Sequence, residues 1–148
     1  MLRDAGKPLQ SAIKRLRQHV ADERKAIASG DAAARSWQLA DFHICLAECL
    51  GNRLLTGMLV ELSARTTLVS ALYQSQTEAQ GSNEDHALIV AALAEGDNAR
   101  AERLMRDHID ALAARLDETR ADTGSTRDRL RAALLPGVAA GQRAGKLP

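Results

Sequence analysis

Aromatic residues are almost absent from this 148-residue chain, which has only Trp37, Phe42 and Tyr73. So few rings cannot build a stacking platform for single-stranded nucleic acid. The scarcity of aromatic and β-branched residues, which strands favour, also argues against a β-sandwich or a barrel. Ala and Leu number 28 and 21 and together make up a third of the residues. Both are among the strongest helix formers, so the composition predicts an all-α fold.

Long apolar runs and cysteines are scarce as well. The longest wholly apolar run, Ala87 to Ala94, has eight residues, whereas roughly 20 are needed to span a bilayer. The sequence begins without the apolar stretch of a signal peptide. The only cysteines, Cys45 and Cys49, lie four residues apart on one predicted helix and fit small core residues of a reduced protein. We therefore expect a soluble, cytoplasmic protein.

Excess charge of one sign is missing too, because the formal net charge is +1. This balance gives no electrostatic reason for the whole chain to bind nucleic acid or an acidic membrane. The charge is nevertheless uneven: residues 1–24 carry +3, residues 25–119 carry −6 and residues 120–148 carry +4. Basic ends are more often solvated tails than nucleic-acid arms. Any DNA binding by this chain alone is therefore expected to be weak and strongly dependent on salt.

The helix-ending glycines and helix-capping residues of the sequence predict an antiparallel helical bundle of about five to seven helices. Gly30-Asp31, Gly51-Asn52 and Gly96-Asp97 each combine a helix-ending glycine with a helix-capping residue. Short connections of this kind favour antiparallel neighbours. The predicted helices cover about 9–29, 31–50, 53–73, 84–95 and 97–120, with a polar loop at 74–83. The predicted organisation is an N-terminal tail (1–8), a helical domain (9–119) and a basic tail (120–148) with one short helix near 125–135.

Three of the four histidines, His43, His86 and His108, fall on apolar helix faces. Burying an imidazole among aliphatic side chains is costly unless both of its ring nitrogens find partners. A divalent metal would serve all three rings if the helices bring them together, and hydrogen-bonded core histidines are the alternative. His19 has charged neighbours of both signs, so we expect it to be solvated.

Two segments resemble the motifs of a known family. The segment Asp41–Leu55 contains, in order, the motifs Asp-Phe-His, Leu-Ala, Gly-Asn and Leu-Leu. The segment Glu84–Ile109 contains Glu-Asp-His, Ala-Ala, Gly-Asp and, at its end, His108-Ile109. Both are similar to the FCD domain, the ligand-sensing C-terminal domain of one branch of the GntR-family bacterial transcriptional regulators. The 22-residue separation of His86 and His108 also fits. The resemblance covers about residues 9–119.

The resemblance implies an all-helical, usually homodimeric domain with a central pocket. Many such domains bind a divalent metal through one Asp and three His, and the metal or a small organic acid bound to it is the effector. By motif position the metal ligands would be His43, His86 and His108, with zinc or nickel as the ion. Arg65 falls where similar domains often have a pocket arginine that could hold an effector carboxylate. An ordinary surface role for Arg65 is the alternative.

The sequence departs from the family pattern in two places. Leu39 stands where the family usually has its ligating Asp, and Asp41 lies on another side of the same helix. The winged-helix DNA-binding domain of GntR regulators has no counterpart in these residues, so DNA binding is expected to require a domain outside this chain. The expected function is effector sensing and dimerisation rather than catalysis. A three-histidine metal-dependent hydrolase and a metal-free helical dimerisation module are the alternatives.

Overall fold

Five α-helices make up the part of the chain that this computed structural model describes, residues 6–121, with side chains described from 9 to 118. They are α1 (Gly6–Ala28), α2 (Ala32–Cys49), α3 (Arg53–Tyr73), α4 (Gln76–Ala94) and α5 (Asn98–Ala121). No strand occurs among these residues, and the predicted all-α fold is confirmed. The chain divides after Leu112 into two compact units, and the packing below belongs to the first. The short helix predicted near 125–135 lies outside the described residues.

The turns between helices form as the sequence predicts. Gly30 and Gly96 have φ values of +75° and +76°, a left-handed conformation that glycine adopts without strain. Each is followed by an aspartate that caps the next helix. Asp31 accepts hydrogen bonds from the backbone N–H groups of Ala33 and Ala34, and Asp97 accepts one from Arg100.

The predicted loop at 74–83 is wrong, because α4 begins at Gln76. Ser75 caps this helix through a hydrogen bond from the Glu78 backbone, and the Glu78 side chain accepts one from the Ser75 backbone in return. This capping box satisfies two backbone donors and starts a helix in a polar stretch. Asn83 is buried in the extension, where its side-chain amide donates to the Val20 carbonyl of α1. The extra turns are therefore held by polar contacts that apolar periodicity does not reveal.

The core lies between α1, α2 and α4, each of which packs against the other two. Its main cluster consists of buried side chains from these helices: Leu16, Val20, Phe42, Cys45, Ile89 and Val90. Leu104 and Met105 of α5 pack against this cluster from its edge. By contrast, α3 packs mainly on α2. Within residues 6–121, no helix combines the length and the apolar character needed to cross a membrane.

Candidate metal centre

The three histidines predicted to face the core meet in one place. His43 comes from α2, His86 from α4 and His108 from α5, and each offers a ring nitrogen within 4.8 Å of the other two. His86 and His108 are almost completely buried, and His43 is partly buried. Spacing along the chain placed each ring on an apolar face, and the packing of the helices brings the three faces together. We call these three residues the histidine cluster.

The closest approach in the histidine cluster joins His86 Nε2 and His108 Nε2, which lie 3.2 Å apart. The other nitrogen of each ring faces a carboxylate: His86 Nδ1 is 2.9 Å from Glu23 and His108 Nδ1 is 3.0 Å from Asp85. An ionised carboxylate can only accept hydrogen bonds, so these contacts place a proton on each Nδ1. In the neutral rings both Nε2 atoms then present lone pairs to each other. Such a pair requires a cation between the two atoms, either a proton or a metal ion.

This donor set fits a divalent metal. Zn–N bonds are about 2.0–2.1 Å long, so two imidazole nitrogens on one tetrahedral zinc lie about 3.3 Å apart. The separation of 3.2 Å between the Nε2 atoms of His86 and His108 is close to that value. Metal-bound histidines usually donate their second N–H to a carboxylate, which fixes the ring and strengthens it as a ligand. Glu23 and Asp85 occupy those positions here.

His43 completes the histidine cluster as a neutral ring. Burial is the largest cause that lowers the pKa of His43, to about 3. The imidazole therefore stays neutral near pH 7, as a metal ligand must. Phe42 covers the adjoining side, since its ring stacks on His86 with centroids 3.9 Å apart.

Glu23 of α1 is the centre of the polar network behind the histidine cluster. It is fully buried and accepts hydrogen bonds from His86, His19 and the Asn83 amide, the last at 2.8 Å. Burial acts to raise the pKa of the Glu23 carboxyl, but the hydrogen bonds from His19 and His86 outweigh it and lower the pKa. Glu23 is therefore an ionised carboxylate inside the core, stabilised by three donors.

The expectation that His19 is solvated is wrong. Only 9% of its surface is exposed, and its two ring nitrogens face Glu23 at 3.3 Å and Asp41 at 3.0 Å. Burial acts to lower the pKa of His19, but the hydrogen bonds with the two carboxylates prevail and raise it. One charged neighbour on α1, Glu23, and one carboxylate from α2, Asp41, are the partners that allow His19 to be buried.

The remaining predicted residues lie apart from the histidine cluster. Leu39 is buried in a small apolar cluster with Ile27 and Ala79, so this position supplies no ligand. Asp41 contacts His19 rather than the predicted ligands, in keeping with its different helix face. Arg65 is three-quarters exposed on α3 and pairs with Glu61 at 2.7 Å.

Glu23 and Asp85 contact the histidine cluster from behind, and the sequence reasoning assigned neither of them to the site. Glu23 had a detectable signal, because Ile13, Leu16, Val20, Glu23 and Ile27 follow one another at intervals of three and four residues. A carboxylate on such an apolar stripe must find buried partners. Asp85 had no comparable signal, because it stands at the start of the predicted helix 84–95 and no local pattern shows that it contacts His108 on another helix.

Comparison with known proteins identifies one family. The model of the FCD domain matches residues 5–111, which is more than two-thirds of the chain. No curated protein and no solved structure matches the chain.

Proposed function

Since the chain belongs to the FCD family, whose domains are associated with effector sensing in GntR-type regulators, we propose that it senses a small effector through a divalent metal. The metal ligands in this proposal are His43, His86 and His108, and zinc or nickel is the ion. The chain acts as a cytoplasmic homodimer and has no catalytic role. Its effector controls DNA binding by a winged-helix domain outside this sequence.

The observation that carries the metal half of the proposal is the pair of facing Nε2 atoms. His86 and His108 each direct one ring nitrogen to a carboxylate and the other to the same point, 3.2 Å from its counterpart. Structural core histidines would be expected to donate to different acceptors. Two ring nitrogens aimed at one point, with a third imidazole beside them, support a metal site, and a proton shared between His86 and His108 is the metal-free alternative.

The charges around the histidine cluster favour an anionic effector. Three neutral imidazoles leave the full charge of a divalent ion uncompensated, and Leu39 adds no carboxylate where family members usually have one. Such an ion keeps at least one coordination position for water or for an effector carboxylate. A small organic acid meets this requirement. We propose Arg65 as a further effector contact on the basis of its motif position, with its guanidinium reached from the solvent side.

Metal titration tests this proposal. We expect the purified chain, treated with chelator, to bind about one equivalent of zinc or nickel by calorimetry and elemental analysis. His43→Ala and the double variant His86→Ala/His108→Ala should lose this binding, since each removes ligands that no nearby residue replaces. Cys49→Ser is the matched control, because it removes another metal-binding side chain outside the histidine cluster.

Circular dichroism of each variant separates loss of ligands from loss of fold. Equal binding by the wild type and both histidine variants would contradict the metal site.

The effector half is tested by titrating the zinc-loaded chain and its Arg65→Ala variant with a panel of organic acids. Unchanged acid affinity in Arg65→Ala would remove Arg65 from the site and leave the metal assignment intact.

A further inference from the structure

An apolar stripe on α3 is left uncovered by the other described residues. Leu54 is 78% exposed, Met58 62% and Leu68 59%. Ser63, on the opposite side of the helix, is the only buried residue of α3. Large exposed apolar patches rimmed by polar residues mark interaction sites on protein surfaces.

The stripe has the spacing of a helix-pairing seam. Its members follow one another at intervals of four, three, four, three and four residues: Leu54, Met58, Glu61, Arg65, Leu68 and Leu72. This alternation keeps side chains along one line of a helix, as in coiled coils. The line is about 27 Å long, at 1.5 Å of rise per residue. We call these six residues the α3 seam.

The α3 seam reads the same in both directions from its centre. Around Ser63, Leu54 mirrors Leu72, Met58 mirrors Leu68, and Glu61 mirrors Arg65. The mirrored pairs are therefore apolar with apolar, and acidic with basic. A two-fold axis through an antiparallel helix pair brings residues equidistant from the axis together. In an antiparallel pair of α3 helices, apolar residues would therefore face apolar residues and acidic residues would face basic ones.

We propose that α3 forms the homodimer interface, with two copies packed antiparallel about a two-fold axis that crosses the α3 seam midway between Glu61 and Arg65. Leu54 then contacts Leu72 of the second copy, and Met58 contacts Leu68. Glu61 and Arg65 already form an ion pair within one chain, and in the dimer each also meets the opposite charge of the second copy. The inference rests on the proposed homodimer and names the surface and the orientation that build it. It assigns Arg65 to the interface, as the alternative to the effector contact proposed above.

Charge complementarity selects a second copy over an unrelated partner. An apolar groove on another protein would accept the leucines but would leave Glu61 and Arg65 facing apolar surface, which is costly. A second α3 supplies both opposite charges at the required positions without any further residue. The two charged residues also fix the orientation, because a parallel pair would place Glu61 against Glu61 and Arg65 against Arg65.

Sedimentation equilibrium of the full chain tests this interface. We expect the wild type to be a dimer, and we expect its dissociation constant to rise by roughly tenfold or more in each of the variants Met58→Glu and Glu61→Arg. Glu61→Arg places the new arginine opposite Arg65 of the second copy at two symmetric positions. The double variant Glu61→Arg/Arg65→Glu exchanges the charges and should restore wild-type association. Glu102→Arg is the matched control, since Glu102 and Arg106 form the same kind of exposed pair on α5.

The outcomes separate this interface from the rest of the proposed function. A wild-type chain that remains monomeric overturns both the interface and the proposed homodimer. A dimer that neither Met58→Glu nor Glu61→Arg weakens overturns the interface alone, because association then uses another face. Failure of the double variant to restore association overturns the antiparallel orientation. Metal titration of the same variants reports on the histidine cluster independently, since the α3 seam and the cluster share no residue.

Discussion

At the scale of single residues, Glu23 decides how the histidine cluster is held. A carboxylate buried in a core is stable only if donors surround it, and Glu23 receives them from α1 and α4. The same contacts orient the His86 ring and place its proton on the nitrogen that faces away from His108. In the proposed metal site Glu23 would act on the ion through His86, as a positioning residue.

Replacing Glu23 by Gln should weaken metal binding by roughly 10–100-fold, the usual effect of removing a carboxylate behind a histidine ligand. The amide has nearly the same shape but lacks the negative charge that strengthens His86 as a ligand. Calorimetric titration with zinc measures the change. Asp22→Asn is the control, because it makes the equivalent replacement at the neighbouring, partly exposed position. Equal zinc affinity in wild type and Glu23→Gln would show that Glu23 serves folding alone.

His19 should make stability depend on pH in a definite direction. Its pKa is raised above the ordinary value of 6.5, so the folded state favours the protonated ring between Glu23 and Asp41. That contribution is complete below pH 6.5 and is lost as the pH rises through the raised pKa. The free energy of unfolding of the wild type should therefore exceed that of His19→Gln by more at pH 6 than at pH 9.

Urea unfolding of the metal-free chain, with chelator present at both pH values, measures this difference. The chelator keeps metal binding, which itself depends on pH, out of the comparison. A difference between the two proteins that is constant with pH, or larger at pH 9, would contradict an ionised His19.

At the scale of elements, α4 shows how capping overrides composition. Its first two turns are polar and contain Gly81, yet they are helical from Gln76 onward. The box formed by Ser75 and Glu78 starts the helix, and Asn83 ties it to α1. Because Asp85 and His86 follow on the same helix, this start sets where two groups of the candidate site lie.

Removing the cap should destabilise the chain measurably. Ser75→Ala deletes the hydroxyl that accepts from the Glu78 backbone, and losses of this kind cost about 1 kcal/mol. Chemical unfolding followed by circular dichroism gives the value. Thr77→Ala, at an exposed position in the first turn, is the control, because alanine is the better helix former there. A loss no greater than that of the control would show that the cap does not govern the start of α4.

At the scale of the whole molecule, most of the helical architecture and part of the candidate site could be predicted from the sequence. Alanine and leucine content with three Gly-centred turns predicted the helices that begin near residues 32, 53 and 98. The three histidines could be placed because each lies on an apolar face. The start of α4 could not be placed by apolar periodicity, since its contacts there are polar.

The polar support of the histidine cluster escaped prediction for a different reason. His19 looks like part of a solvated charged face when it is compared with its neighbours along α1, and Glu23 lies on an apolar stripe that does not identify its partners. Their burial depends on partners 22 and 63 residues away, Asp41 and His86. Ion pairs between residues so far apart in sequence form only when the helices pack, so the local sequence pattern does not predict them.

The position of α2 has a mechanical consequence. Helix α2 supplies His43 to the histidine cluster and also packs on α3. The link between these helices is stiff, because the Asn52 side chain caps α3 and its backbone N–H bonds back to Ala47. In a two-fold dimer built on α3, α2 and α3 of both copies would form a stationary frame. A shift of His43 on ligand binding would then reach the second copy through α2 and α3 alone, and the two-fold axis would repeat it in both subunits.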